Sequence, residues 1–300
     1  MRRSWGDVLA AVLVLATPPG VASQAPRLAT TADLALWLAP DSGDLVVVDV
    51  RQSWTSYLEH HLPRAVWLNV ETLRAQSGEL PFQLLSGDVY AELFRRLRIT
   101  PARRVVVYSA GDQANVDATF AAWLLASAGA SRVFVLDGGY AKWELEGRAL
   151  TQAYPHDGLT GGGFHAAEFH PAVATLDDVR AAARGGGALL VDARPPEQFS
   201  GAAGAQARRG HIPGAVNHPW KSDLEQRDLA LVWKSSEALR VAYAAQGITA
   251  DRDVIVYCNS GTEASHVFFA LKYLLDYPRV RIYAGAWSEW AEREELPVER

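Results

Sequence analysis

The stretch VIVYCNSGTEASHVFFALKYLL, residues 254–275, runs from a β-branched apolar segment through a short glycine-containing loop into a second apolar segment. The run VIVY lacks polar alternation, which suits a strand covered on both faces in a parallel sheet. After the loop, Val267, Leu271 and Leu274 mark one face of an expected helix. Outward from this stretch the chain repeats itself. LVVVDVR (45–51), HLPRAVWLN (61–69), VVVYS (105–109) and VFVLDGGYAKW (133–143) recur in the same order as LLVDAR (189–194), HIPGAVN (211–217), VIVYC (254–258) and VRIYAGAWSEW (280–290). Asp49 recurs at Asp192, His61 at His211 and Tyr108 at Tyr257, offsets of 143, 150 and 149 residues. A repeat of strands alternating with helical segments predicts two tandem α/β units, each a mainly parallel sheet flanked by helices.

Helical spacing supports the alternation. SGDVYAELFRRL (86–97) places Val89, Leu93 and Leu97 four apart, and TLDDVRAAA (175–183) opens with the capping pattern Thr175-x-x-Asp178. The predicted units span residues 26–155 and 171–300, joined by a Gly-rich linker over 156–170. His165, Glu168 and His170 lack a helical frame that would converge them on a metal, so they read as solvated linker residues.

With 49% apolar and 21% charged residues among 300, the chain has the composition of about two globular domains. A scattered net charge of −5, with no basic run, argues against nucleic acid as a partner. Arg2 and Arg3, the apolar residues 8–16 and the small residues near 20–25 read as a signal peptide over residues 1–25. The apolar part falls short of the roughly 20 residues that span a bilayer, so no membrane association is expected beyond the leader. Cleavage is favoured after Ala22, because a cut after Ala25 leaves Pro26 first; an uncleaved anchor is the alternative. The expected location is the periplasm.

Cys258 is the chain's one cysteine, so no intramolecular disulfide can form. It ends a strand and precedes a loop and a helix start, where unpaired N–H groups and the helix dipole stabilise an anion. The position predicts a sulfur in reach of solvent, at the mouth of a ring of main-chain donors, whose thiol ionises below its ordinary value of ~8.5. The loop residues Asn259, Ser260, Gly261, Thr262 and Glu263 complete the candidate site. Gly261 permits the turn, Ser260 and Thr262 offer hydroxyls, and Glu263 opposes thiol ionisation unless its side chain faces solvent. Burial of Cys258 as a small hydrophobe at a strand end is the alternative reading. A phosphate-ester hydrolase needs an Arg six residues after such a cysteine, and Ala264 stands there.

YLEHHLPRA (57–65) and RGHIPGAV (209–216) resemble the His-(Leu/Ile)-Pro-Gly-Ala motif of the rhodanese family. IYAGAWSEW (282–290) is similar to that family's C-terminal signature, and YCNSGTEAS (257–265) to its six-residue active loop. The resemblance covers nearly all of the chain after the leader. It implies two tandem rhodanese-like domains, of which the first lacks the catalytic cysteine because Ser109 occupies its place. It also implies a sulfurtransferase that moves sulfane sulfur from thiosulfate or 3-mercaptopyruvate to cyanide or a thiol through a Cys258 persulfide, with no metal or organic cofactor.

The chain departs from the family at several positions. Asn259 and Ser260 stand where thiosulfate-preferring members often carry basic residues, and Gln198 where the mercaptopyruvate type has an Arg. Arg208 and Arg209 are candidates for the missing charge, or else solvated surface residues. A relay between Ser260 and His61 is a further implication of the resemblance, placed in doubt by Arg64 where the family has Gly. Asp49, Arg51, Asp192 and Arg194 read as strand-end pairs within their own domains. Trp143, Trp287 and Trp290 read as packing anchors. A persulfide carrier with slow turnover, or a non-catalytic interaction module, remains as an alternative to the enzyme.

Overall fold

The computed structural model describes residues 25–39, 44–112, 116–155 and 169–300. The leader expected over 1–25, apart from Ala25, lies outside the described residues, as do the linker over 156–170 apart from Phe169 and His170, and with it His165 and Glu168.

The unalternated β-branched runs form central parallel strands, as their composition requires. In chain order the first half contains β1 (Arg27–Ala29), α1 (Thr31–Leu38), β2 (Leu45–Asp49), α2 (Trp54–Glu59), β3 (Ala65–Trp67), β4 (Arg74–Ser77), β5 (Leu80–Leu84), α3 (Gly87–Arg96), β6 (Arg104–Tyr108), α4 (Val116–Ser127), β7 (Arg132–Leu136) and α5 (Gly139–Leu145). The second contains β8 (Val173–Ala174), α6 (Leu176–Ala183), β9 (Leu189–Asp192), α7 (Pro196–Phe199), β10 (Val216–Asn217), β11 (Leu224–Arg227), β12 (Ala230–Trp233), α8 (Ser236–Ala245), β13 (Val254–Tyr257), α9 (Thr262–Phe269), β14 (Val280–Tyr283) and α10 (Ala286–Glu292). The sheets run β1-β7-β6-β2-β3 and β8-β14-β13-β9-β10, every neighbouring pair parallel. One order thus repeats strand for strand. Each half adds an antiparallel hairpin, β4 with β5 and β11 with β12.

Alternation within each strand distributes its side chains between two cores. Val46, Val48, Val105 and Val107 face one shared apolar cluster with Leu189, Val191, Val254 and Val256 of the second half. Leu45, Val47, Val106 and Tyr108 point to the outer core of the first half, and Leu190, Ile255 and Tyr257 to that of the second. The two domains therefore share one apolar interior, where α4 lies against α9 and the Thr119 and Ser265 hydroxyls meet at 3.0 Å. Helix α9 is buried from Ala264 to Phe269, all round rather than on one face, because both its own sheet and the other domain cover it.

The expected capping box forms: the Thr175 hydroxyl accepts from the Asp178 N–H at 3.2 Å, and the Asp178 carboxylate accepts from the Thr175 N–H at 2.8 Å. Helix α3 forms as expected but turns a different face inward. Tyr90 and Phe94 are buried while Val89 is exposed, because Tyr90 brings a larger apolar area together with a hydroxyl that donates to the Leu73 carbonyl. Arg64 adopts φ 65°, matching φ 75° at Gly214 in the second half, so the arginine takes the left-handed turn of the glycine it replaces. That conformation costs about 1 kcal/mol for a residue with a Cβ.

Candidate active site

The period of two in β13 decides where Cys258 points. With Val254 and Val256 it faces the interior shared by the domains, and it is fully buried at 0% exposure. Its Sγ accepts from the Gly261 N–H at 3.1 Å, and the amides of Ser260 and Ala264 also donate to it. Gly261 caps α9 at φ 92°, a left-handed conformation that other residues resist. The expected ring of main-chain donors is present, but solvent does not reach the sulfur it holds.

Easier ionisation of the thiol does not follow from this arrangement. Burial, and then the Glu263 carboxylate, push Cys258 up to about 12, outweighing the three amides. Glu263 turns inward rather than to solvent, accepting from the Cys258 thiol and the Trp220 indole, and its own burial pushes it up to about 7. At neutral pH the pair therefore shares a thiol proton beside a half-ionised carboxyl.

The loop is held from three sides. The Cys258 carbonyl accepts from Trp287 N–H at 2.8 Å, and the Asn259 carbonyl from the Ser288 hydroxyl at 2.7 Å. The Asn259 amide donates to Gln198 Oε1 at 2.7 Å, so the two departures from the family pattern meet. From the first domain, Arg74 Nη1 donates to the Ser260 carbonyl and hydroxyl at 3.1 Å each, and to the Thr262 hydroxyl at 2.8 Å. Sequence reasoning missed Arg74, although the offset of 150 residues between His61 and His211 sets it opposite Leu224 and so marks it as unmatched.

The structure does not bring His61, Arg208 or Arg209 to this loop. His61 is buried with Nδ1 on the Tyr57 carbonyl at 2.7 Å and Nε2 on the Ala153 carbonyl at 3.2 Å, its backbone bridged to Thr151. His211 does the same work in the second domain, with Nδ1 on the Phe199 carbonyl at 2.9 Å and a bridge to Glu299. Each histidine pins the end of its own domain. Arg208 donates to the carbonyls of Arg293 and Leu296, and the Arg209 carbonyl accepts from Arg300, both beside the C-terminal residues. Asp49 pairs with Arg51 at 2.8 Å and Asp192 with Arg194 at 2.5 Å, buried within their own domains. Trp143, Trp287 and Trp290 are buried, and Arg194 lies over the Trp287 ring at 4.6 Å.

Two copies of one α/β unit, joined over a strand-cysteine-loop-helix site, define a tandem rhodanese architecture. Both halves match the family described as rhodanese-like domain, at residues 32–146 and 175–293. The chain belongs to the rhodanese family, and its activity class is sulfurtransferase. It is 37% identical to the "Putative thiosulfate sulfurtransferase" of Synechococcus elongatus, over 97% of this chain and 91% of that protein. The 3-mercaptopyruvate sulfurtransferase of Escherichia coli K12 is 33% identical over 88% of this chain and 95% of its own. The crystal structure of SseA from Escherichia coli, a 3-mercaptopyruvate sulfotransferase with the rhodanese fold, is similar with a TM-score of 0.76 at 31% identity, covering 87% of this chain and 98% of that one.

Proposed function

We propose that this protein moves sulfane sulfur from thiosulfate or 3-mercaptopyruvate to cyanide or a thiol through a persulfide on Cys258. The observation that carries the reading is the Gly261 amide on Cys258 Sγ at the start of α9, with the Ser260 and Ala264 amides beside it. Three convergent N–H groups stabilise a thiolate in the transition state and a persulfide anion after it. In the first step the thiolate bonds to the donor's outer sulfur while the bond from that sulfur to the leaving group breaks, releasing sulfite or the enolate of pyruvate. The proton that the thiol gives up balances the charge of the leaving group, going to the departing enolate carbon or leaving with sulfite, while Glu263 opposes the thiolate. In the second step the acceptor takes the terminal sulfur and the Cys258 thiolate leaves, so no external oxidant or reductant is needed. Because Sγ is sealed, the donor reaches it when the side chains around the loop part. Cys258→Ser is expected to lower thiocyanate formation from cyanide by roughly a thousandfold or more. Activity retained in that variant would remove the reading.

A second reading, a persulfide carrier with slow turnover, is favoured by the protonated thiol beside Glu263. Stoichiometric sulfur loading by intact mass, with turnover in cyanide near background, selects it over the enzyme. Export to the periplasm is part of the proposal and rests on the leader sequence. The mature chain is expected to begin at Ser23, which N-terminal sequencing of the secreted-fraction protein tests.

A further inference from the structure

One peptide plane at the site is gripped at both ends. Its carbonyl, that of Ser260, accepts from Arg74 Nη1 at 3.1 Å, and its N–H, that of Gly261, donates to Cys258 Sγ at 3.1 Å. A cation on the carbonyl oxygen polarises the peptide and makes the N–H at the other end a stronger donor. We propose that Arg74, supplied by the first domain, is a positioning residue for the sulfur chemistry of the second, acting on Cys258 through the Ser260–Gly261 peptide. The inference rests on the Cys258 persulfide reading.

The geometry around the guanidinium is built rather than incidental. It lies 5.1 Å from the Phe120 ring of α4 and 5.0 Å from that of Phe82, its side chain is 6% exposed, and its Nε is buried without a hydrogen-bond partner. Desolvating a charge in this way is unfavourable unless something is gained from its position. An internal control shows that docking of the hairpin does not require it. Arg74 opens β4 directly after the turn Val70–Leu73, and in the other half Leu224 opens β11 directly after the turn Trp220–Asp223. That second hairpin docks on the first domain's loop with Leu231 N–H on the Gly111 carbonyl at 2.9 Å and Trp233 N–H on Asp137 at 3.0 Å. Leucine suffices where the loop carries Ser109, and arginine stands where it carries Cys258.

Other charges face the pair: Glu71 on Arg74 Nη2 at 2.7 Å, Asp117 at the start of α4, and Glu263 with the Asp192–Arg194 pair near the sulfur. Changing Arg74 alone leaves the contacts of Asp117, Glu263 and the Asp192–Arg194 pair untouched, while Glu71 loses its partner. Single-turnover sulfur loading of the full chain, followed by intact mass against pH with 3-mercaptopyruvate and with thiosulfate, reads the effect. Arg74→Leu is expected to load roughly tenfold more slowly at each pH, as if the thiol had moved up by about one pKa unit. Arg74→Gln keeps a donor for the carbonyl without the charge, and is expected to lose about threefold to tenfold even if the leucine variant fails to fold. Asp137→Asn, which weakens the opposite docking contact, is expected to load at the wild-type rate. Loading by Arg74→Gln at the wild-type rate with an unshifted pH profile overturns the proposal and leaves the persulfide reading intact if Cys258→Ser is inert. If Cys258→Ser itself still transfers sulfur, it is the underlying reading that has failed.

Discussion

The loop after β6 and the loop after β13 hang from matching backbone frames. The Ser109 carbonyl accepts from Tyr140 N–H at 2.9 Å, as the Cys258 carbonyl accepts from Trp287 N–H at 2.8 Å. Tyr108 takes the Leu62 N–H on its hydroxyl at 3.2 Å, and Tyr257 takes that of Ile212 at 3.1 Å. Behind each tyrosine stands an Asp-x-Arg pair, Asp49 with Arg51 and Asp192 with Arg194. The difference lies in a few side chains. Oxygen at Ser109 replaces sulfur at Cys258, and leucine at 224 replaces arginine at 74. The buried acid of the first domain, Asp117, bonds to Gln52 at 3.2 Å, whereas Glu263 bonds to the cysteine. Duplication has thus preserved a frame twice, while the chemistry resides in the residues that break the symmetry.

Moving the thiol tests this most severely. The double variant Cys258→Ser, Ser109→Cys places a thiol in the first frame, where leucine at 224 stands in place of the arginine that meets the Cys258 loop. Its cyanide turnover is expected to stay roughly tenfold or more below wild type, since the arginine that polarises the loop peptide is missing there. Turnover near wild type would mean that the frame alone suffices.

Glu263→Gln has a smaller and opposite effect. Removing the carboxylate removes the second-largest influence raising Cys258, so sulfur loading at pH 8 is expected to rise by roughly threefold to tenfold. The pH profile sharpens the test. In the wild type the carboxyl ionises as pH passes about 7, which opposes thiolate formation, so the rate climbs less steeply above pH 7 than in the glutamine variant. Stability follows the same group. Its folded value of about 7 lies above the ordinary 4.5, so the folded state holds the extra proton and loses stability as pH rises from 4.5 through 7. Above pH 7 the glutamine variant is expected to be about 1–3 kcal/mol more stable by denaturant titration, the difference fading below pH 5.

The histidines give the smallest effect on activity and test the symmetric part of the comparison. His61→Ala and His211→Ala each remove a buried ring that ties a loop to the end of its own domain. Each is expected to cost about 1–3 kcal/mol of stability while the folded fraction keeps its turnover within about twofold. A selective loss of turnover in His61→Ala would revive a cross-domain relay.

Much of the frame was legible because the signals are local. Unalternated β-branched runs mark buried parallel strands, and the spacing of Asp49, His61 and Tyr108 against Asp192, His211 and Tyr257 shows the duplication. The capping box at Thr175 lies within four residues. The inner face of α3 was displaced by one position because SGDVYAELFRRL offers two four-spaced stripes, and the aromatic one buries more area. The inward turn of Glu263 depends on Trp220, which is distant in sequence, and a helix-start glutamate alone fits either orientation. Arg74 reaches Ser260 across 186 residues and between domains, so no local pattern announces it. Its signal is a broken repeat, arginine at 74 against leucine at 224.

The most direct test of the account is intact and peptide-level mass spectrometry of the protein after treatment with thiosulfate or 3-mercaptopyruvate, followed by cyanide. One added sulfur on the peptide carrying Cys258, removed by cyanide as thiocyanate and absent from Cys258→Ser, is the expected result. Thiocyanate formed without any adduct at Cys258, or an adduct that persists in the serine variant, would contradict it.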